Sequence, residues 1–97
     1  MRLRYAALAL AELDAILAYL SEHDVQAVQG FQTRLQLSLD RVAQFPKSAP
    51  PVRVRPGVRR LALVRYPYVV FYRVDAGEVM VLRILHGARN EAESARP

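Results

Sequence analysis

The first half of the chain repeats its apolar residues at helical spacing. From Leu8 to Leu20, Leu10, Leu13, Leu17 and Leu20 form a stripe, and Glu12 and Asp14 are assigned to water. A polar link of Ser21, Glu22, His23 and Asp24 follows, with Asp24 placed to cap a second helix. Val28, Phe31, Leu35, Leu39 and Val42 mark the apolar face of that helix, and Pro46 stops it after Phe45. Gly30 lies inside it. Glycine costs about 1 kcal/mol relative to alanine at such a position, which is tolerable where the first helix packs closely against it. Two helices joined by so short a link are expected to lie antiparallel.

The period then changes. Pro46 to Gly57 holds Pro46, Pro50, Pro51 and Pro56, which predicts a stiff, partly extended connector. Strand patterns follow near Arg59 to Arg65, Tyr68 to Val74 and Glu78 to Leu85, and Arg2 to Tyr5 alternates weakly enough for a short first strand. A two-residue turn on Ala76 and Gly77 would put Ala76 at positive φ, which its Cβ resists, so a three-residue loop with left-handed Gly77 is expected.

That loop pairs Val74 with Glu78 and sorts the side chains. Tyr68, Val70, Tyr72, Met80, Leu82, Ile84 and His86 share the face to be buried under the helices. Val69, Phe71, Arg73, Val79, Val81, Arg83 and Leu85 share the other. With both helices already used, the second apolar face is expected to stay uncovered and serve as a binding surface. A shift of one residue would exchange the faces. The fold class expected is α+β, a helical hairpin on one face of a small antiparallel sheet, in one domain over 1–90 with a flexible tail at 91–97.

Composition narrows the chemistry. The 97 residues include no cysteine and two histidines, His23 and His86, so neither a disulfide framework nor a metal site or other cofactor is expected. No apolar run is long enough to span a bilayer, and Glu12 and Asp14 interrupt the stretch that resembles a signal peptide, so a cytoplasmic protein without membrane contact is expected. The net charge of +5 is segregated. From Pro46 to Asn90, Lys47, Arg53, Arg55, Arg59, Arg60, Arg65, Arg73, Arg83 and Arg89 face only Asp75 and Glu78. Arginine's planar fork suits phosphate and carboxylate partners.

The ordered segments AELDAILAYL, QFP, VRRLAL, YPYVVFYRV and VLRILHGAR resemble the RelE/ParE superfamily, the toxins of bacterial type II toxin–antitoxin pairs, and its ParE-like branch in particular. The resemblance runs from about Tyr5 to Asn90. It implies a growth-inhibiting toxin that contacts DNA gyrase and is neutralised by a ParD-like antitoxin, through which it meets DNA only indirectly. On this reading there is no catalytic residue. Val69, Phe71, Arg73, Val79, Val81 and Arg83 would hold the antitoxin, and Arg53, Arg55, Arg59 and Arg60 are candidates for contact with the target or with nucleic acid. The alternative implied is a RelE-like, ribosome-dependent mRNA endoribonuclease, with Arg65, His86 and Arg89 at the scissile phosphate. Against it stand Arg53 and Arg55 where RelE carries lysines, and the lack of an aromatic residue from Gly87 to Pro97.

Overall fold

The computed structural model describes residues 1–87. Arg89 and the tail at 91–97 lie outside the described residues. In chain order the elements are β1 (Arg2–Tyr5), α1 (Ala7–His23), α2 (Val25–Gln44), β2 (Val58–Ala62), β3 (Tyr68–Asp75) and β4 (Glu78–His86). The strands form one sheet in the order β1-β4-β3-β2, with the helical hairpin packed on one face.

The sheet is mixed rather than wholly antiparallel. β2, β3 and β4 run antiparallel in sequence, but β1 lies parallel to β4, Arg2 opposite Glu78 and Tyr5 opposite Val81. Most of the chain separates these two strands, so no tight turn imposes an antiparallel pairing on them. The amide of Ala6 donates to the Val81 carbonyl at 2.9 Å, and α1 starts at the next residue.

Phe31, Leu35 and Leu39 of α2 and Ala9, Ile16 and Leu20 of α1 bury against Tyr68, Val70, Val81 and Ile84. A neighbouring cluster joins Val42 and Ala49 to Tyr72 and Val79. Asp24 alone separates the helices. Its carboxylate makes no capping bond, and its carbonyl instead accepts the Ala27 amide at 2.9 Å. The partner that requires Gly30 is not α1. A Cβ at Gly30 would collide with the Tyr66 hydroxyl, from the loop between β2 and β3. Tyr66 also stands edge-on to Phe31, with centroids 6.0 Å apart.

The β3–β4 turn takes the conformation that the alanine was expected to prevent. Ala76 has φ 51° and Gly77 φ 76°, with Asp75 paired to Glu78, so this is a two-residue turn with both central residues left-handed. The register is therefore one residue off the expected one, and Val79 and Val81 turn toward the helices, where both are fully buried. A bulge then restores the expected phase. Phe71 faces Arg83 while Tyr72 faces Val81, leaving Leu82 as the extra residue on β4. Beyond it Ile84 lies under the helices and Leu85 on the far side, as the alternation of the sequence demands.

The far side of the sheet is not open. Val69, Phe71 and Leu85 bury there together with Val58 and with Val52 of the proline-rich connector. The connector is bound in place by the Val52 amide on the Val58 carbonyl at 2.8 Å and by the Arg60 amide on the Pro50 carbonyl at 2.9 Å. The expectation of an uncovered second face is thus corrected, because the segment read as a linker supplies the missing cover.

Candidate functional site

The six residues expected to share one antitoxin-binding face are divided among four environments. Val79 and Val81 are in the helix-side core, and Val69 and Phe71 are in the small core beneath the connector. Arg83 is committed to Glu12. Arg73 remains half-exposed, one terminal nitrogen 3.8 Å from the Asp75 carboxylate, while its buried Nε has no hydrogen-bond partner among the described residues.

Among the described residues the Glu12–Arg83 pair is the most heavily bonded side-chain contact. Arg83 donates from Nε to both Glu12 oxygens at 3.1 Å and from a terminal nitrogen to Oε2 at 2.8 Å, and the Ile84 amide donates to Oε1 at 3.0 Å. β1 ends opposite Val81, so the outer amide of Ile84 has no strand to pair with, and Glu12 accepts it from α1. The side chains are only 16% and 14% exposed, which strengthens each of these charge-assisted bonds relative to the surface pairs that Arg2 and Arg4 make with Glu78. The sequence reading that assigned Glu12 to water misses this, because a strand edge with a missing neighbour exists only in three dimensions.

Beside this pair an apolar cleft of about 300 Å³ opens between α1 and β4, lined by Glu12, Ile16, Tyr19, Tyr68, Ile84 and His86 among others. His86 stands edge-on to Tyr68 at 5.7 Å. Tyr19 extends one wall by stacking on His23 at 4.2 Å. Burial pushes the Tyr68 phenol above its ordinary pKa, and the neighbouring Tyr19 acts in the same direction. Glu12 is the carboxylate that lines the cleft, and its oxygens accept from Arg83 and from the Ile84 amide.

Arg65 occupies the turn between β2 and β3 with φ 72°, left-handed backbone that a residue with a Cβ adopts only where its surroundings impose it. The Gly87 amide donates to the Pro67 carbonyl at 2.7 Å, so this turn and the end of β4 meet at one end of the sheet. Arg65 and His86 are thereby brought to the same end. The third candidate of that set, Arg89, is outside the described residues.

The four arginines of the connector region differ in kind. Arg53 is exposed and Arg55 half-buried. Arg59 points inward, donating to the Ala49 carbonyl at 2.7 Å, and its charge partly offsets the burial that raises the Tyr72 pKa. The Tyr72 hydroxyl donates to the Pro46 carbonyl at 2.8 Å. These two side chains hold the connector, so Arg59 is a brace rather than a contact residue. Arg60 is half-buried on the far side of the sheet, opposite Phe71.

Comparison with known proteins places this arrangement. The chain is 33% identical over 85 residues to the Y4kP protein of Sinorhizobium fredii, covering 88% of this chain and 86% of that one. It is 36% identical over 81 residues to the toxin RelE2 of Caulobacter vibrioides, covering 84% and 89%. Its fold superposes with a TM-score of 0.70 on a structure of the chromosomal ParDE toxin–antitoxin system from P. aeruginosa, at 32% identity over 89% of this chain and 95% of that chain. The model of the ParE toxin of the type II toxin–antitoxin system parDE matches residues 3–91. With two helices packed on a four-stranded sheet and a family match over nearly its whole length, the chain belongs to the ParE toxin family of the RelE/ParE superfamily, the toxins of type II toxin–antitoxin systems.

Proposed function

We propose that this toxin arrests growth in the bacterial cytoplasm by binding DNA gyrase through protein contacts, without turning over a substrate, and that a ParD-like antitoxin silences it. The observation that carries this reading is the match of residues 3–91 to the ParE toxin of parDE. Glu12, the carboxylate lining the cleft beside His86, is used as structural mortar between α1 and β4.

A second reading, mRNA cleavage on the ribosome, is favoured by the meeting of Arg65 and His86 at one end of the sheet and by the likeness to RelE2. Purified protein incubated with gyrase and supercoiled plasmid, beside a ribosome–mRNA cleavage assay, separates the two. Gyrase-dependent DNA breaks without mRNA cuts are expected. mRNA cuts that vanish in His86→Ala would replace the first reading by the second.

A further inference from the structure

We propose that the tip of the connector, Arg53, Val54 and Arg55, is the surface through which this protein engages DNA gyrase, with Val54 entering an apolar pocket rimmed by carboxylates. This contact presupposes that the protein acts on gyrase, the reading on which it rests.

The tip is apolar where nothing in the fold requires it. The connector buries Val52 and Val58 against the far side of the sheet, whereas Val54, between them, is 60% exposed. A single exposed valine is ordinary on a protein surface. This one sits on a loop held in one shape. The Val52 amide donates to the Val58 carbonyl at 2.8 Å and closes the loop at its base. The Val58 amide donates to the Arg55 carbonyl at 3.2 Å, and Pro56 and Gly57 fill the two central positions of that turn. Proline first and a glycine at φ 82° second are what a type II turn requires. Behind the base, Arg59 bonds to the Ala49 carbonyl and Tyr72 to the Pro46 carbonyl. A loop fixed in this way loses little conformational freedom when it docks, so ordering it subtracts little from affinity.

The charge around the valine is of one sign. From Pro46 to Gly57 the chain carries Lys47, Arg53 and Arg55 and no acid. Arg73 follows Phe71 by two residues on β3 and so shares the connector's side of the sheet, where it pairs in register with Val58. It reaches the Asp75 carboxylate at 3.8 Å, a long ion pair, and its Nε has no hydrogen-bond partner among the described residues. An apolar side chain set among cations selects an apolar pocket with carboxylates at its rim. A nucleic-acid backbone would use the arginines and leave Val54 in water, and the tip has no aromatic ring on which a base could stack. A second copy of the same tip would bring arginine against arginine.

The test titrates fluorescently labelled protein with purified gyrase in the presence of supercoiled plasmid, with plasmid alone as the control. Val54→Asp sets a carboxylate against those of the pocket and should weaken binding roughly tenfold or more. Val54→Ser should give a smaller loss in the same direction, which keeps the test valid if the aspartate variant unfolds. Arg53→Glu should weaken binding and flatten its dependence on salt. Gyrase binding that survives both Val54→Asp and Val54→Ser would overturn the proposal and leave the gyrase reading standing. Failure of the unaltered protein to bind gyrase would overturn both. Equally tight binding to plasmid alone, lost in Arg53→Glu and kept in Val54→Ser, would make the tip a nucleic-acid contact and overturn the pocket.

Discussion

At one side of the sheet β4 outruns the four residues of β1, and a glutamate from α1 takes up the amide that a longer β1 would have bonded. At the other side β2 is lined by Pro50 and Pro51 as far as Arg60, and the edge beyond them has no neighbouring strand among the described residues. The first edge is closed by charge and the second, beyond Arg60, is open among the described residues. Both carry arginines, but with opposite commitments. Arg83 is bound to Glu12, whereas Arg34 and Arg41 line an open groove.

The largest effect is expected from opening the closed edge. Glu12→Ala removes the acceptor of the Arg83 and Ile84 hydrogen bonds in a mostly buried place and should cost about 3 kcal/mol, seen as a lower urea midpoint at unchanged slope. Glu12→Leu with Arg83→Leu should recover much of that loss, because no charge is then left without its partner. If Glu12→Ala costs no more than about 0.5 kcal/mol, the pair behaves as an ordinary surface ion pair and the contrast between edges disappears.

Gly30→Ala tests the support under the open edge. The new methyl must push aside the Tyr66 hydroxyl, the far end of a flexible side chain, while the helix recovers about 1 kcal/mol by losing its glycine, so a net loss of no more than about 1 kcal/mol is expected. Adding Tyr66→Phe, which deletes the hydroxyl in the way, should return part of it. Additive losses in the double variant would mean that the two residues do not meet.

The connector that finishes the first half of β2 depends on Arg59 and Tyr72. Arg59→Ala and Tyr72→Phe should each cost about 1 kcal/mol and speed exchange at the Val52 and Arg60 amides. Tyr72 also gives a pH signature. Burial raises the pKa values of Tyr5, Tyr68 and Tyr72 above the ordinary 10.0, so the unfolded chain loses these protons first as pH rises. Their stabilising contribution is complete below pH 10.0 and is lost as pH climbs through the raised folded values. Stability should therefore fall on the alkaline side, and fall less steeply in Tyr72→Phe.

The smallest effect belongs to the open groove itself. Val64→Lys should change stability by no more than about 0.5 kcal/mol, because the side chain is already in water. A thermal melt showing a large loss would mean that Val64 supports the fold despite its exposure.

Both helices, all four strands and the interruption by the connector are legible in the sequence, since each depends on local periodicity and on where proline forbids continuation. Val28, Phe31, Leu35, Leu39 and Val42 mark the buried side of α2, with Val28 at its partly covered margin. The family was legible as well, through the order of its short segments. The faces were not. A turn one residue shorter than expected and a bulge at Leu82 moved Val79 and Val81 from the surface to the core, and neither feature leaves a mark in composition. Arg65 and His86 come together because Gly87 bonds to Pro67 across the sheet end, a contact between distant segments.

What the chain determined by itself is what a few neighbouring residues can decide, namely where helix and strand begin, which stripe is apolar and where the charge collects. Strand register, the parallel pairing of β1, the use of Glu12 as a substitute neighbour and the folding of the connector over the far face were decided by the tertiary structure. Each of these satisfies backbone groups or apolar surface contributed by segments far apart in sequence, and such demands arise only when those segments meet.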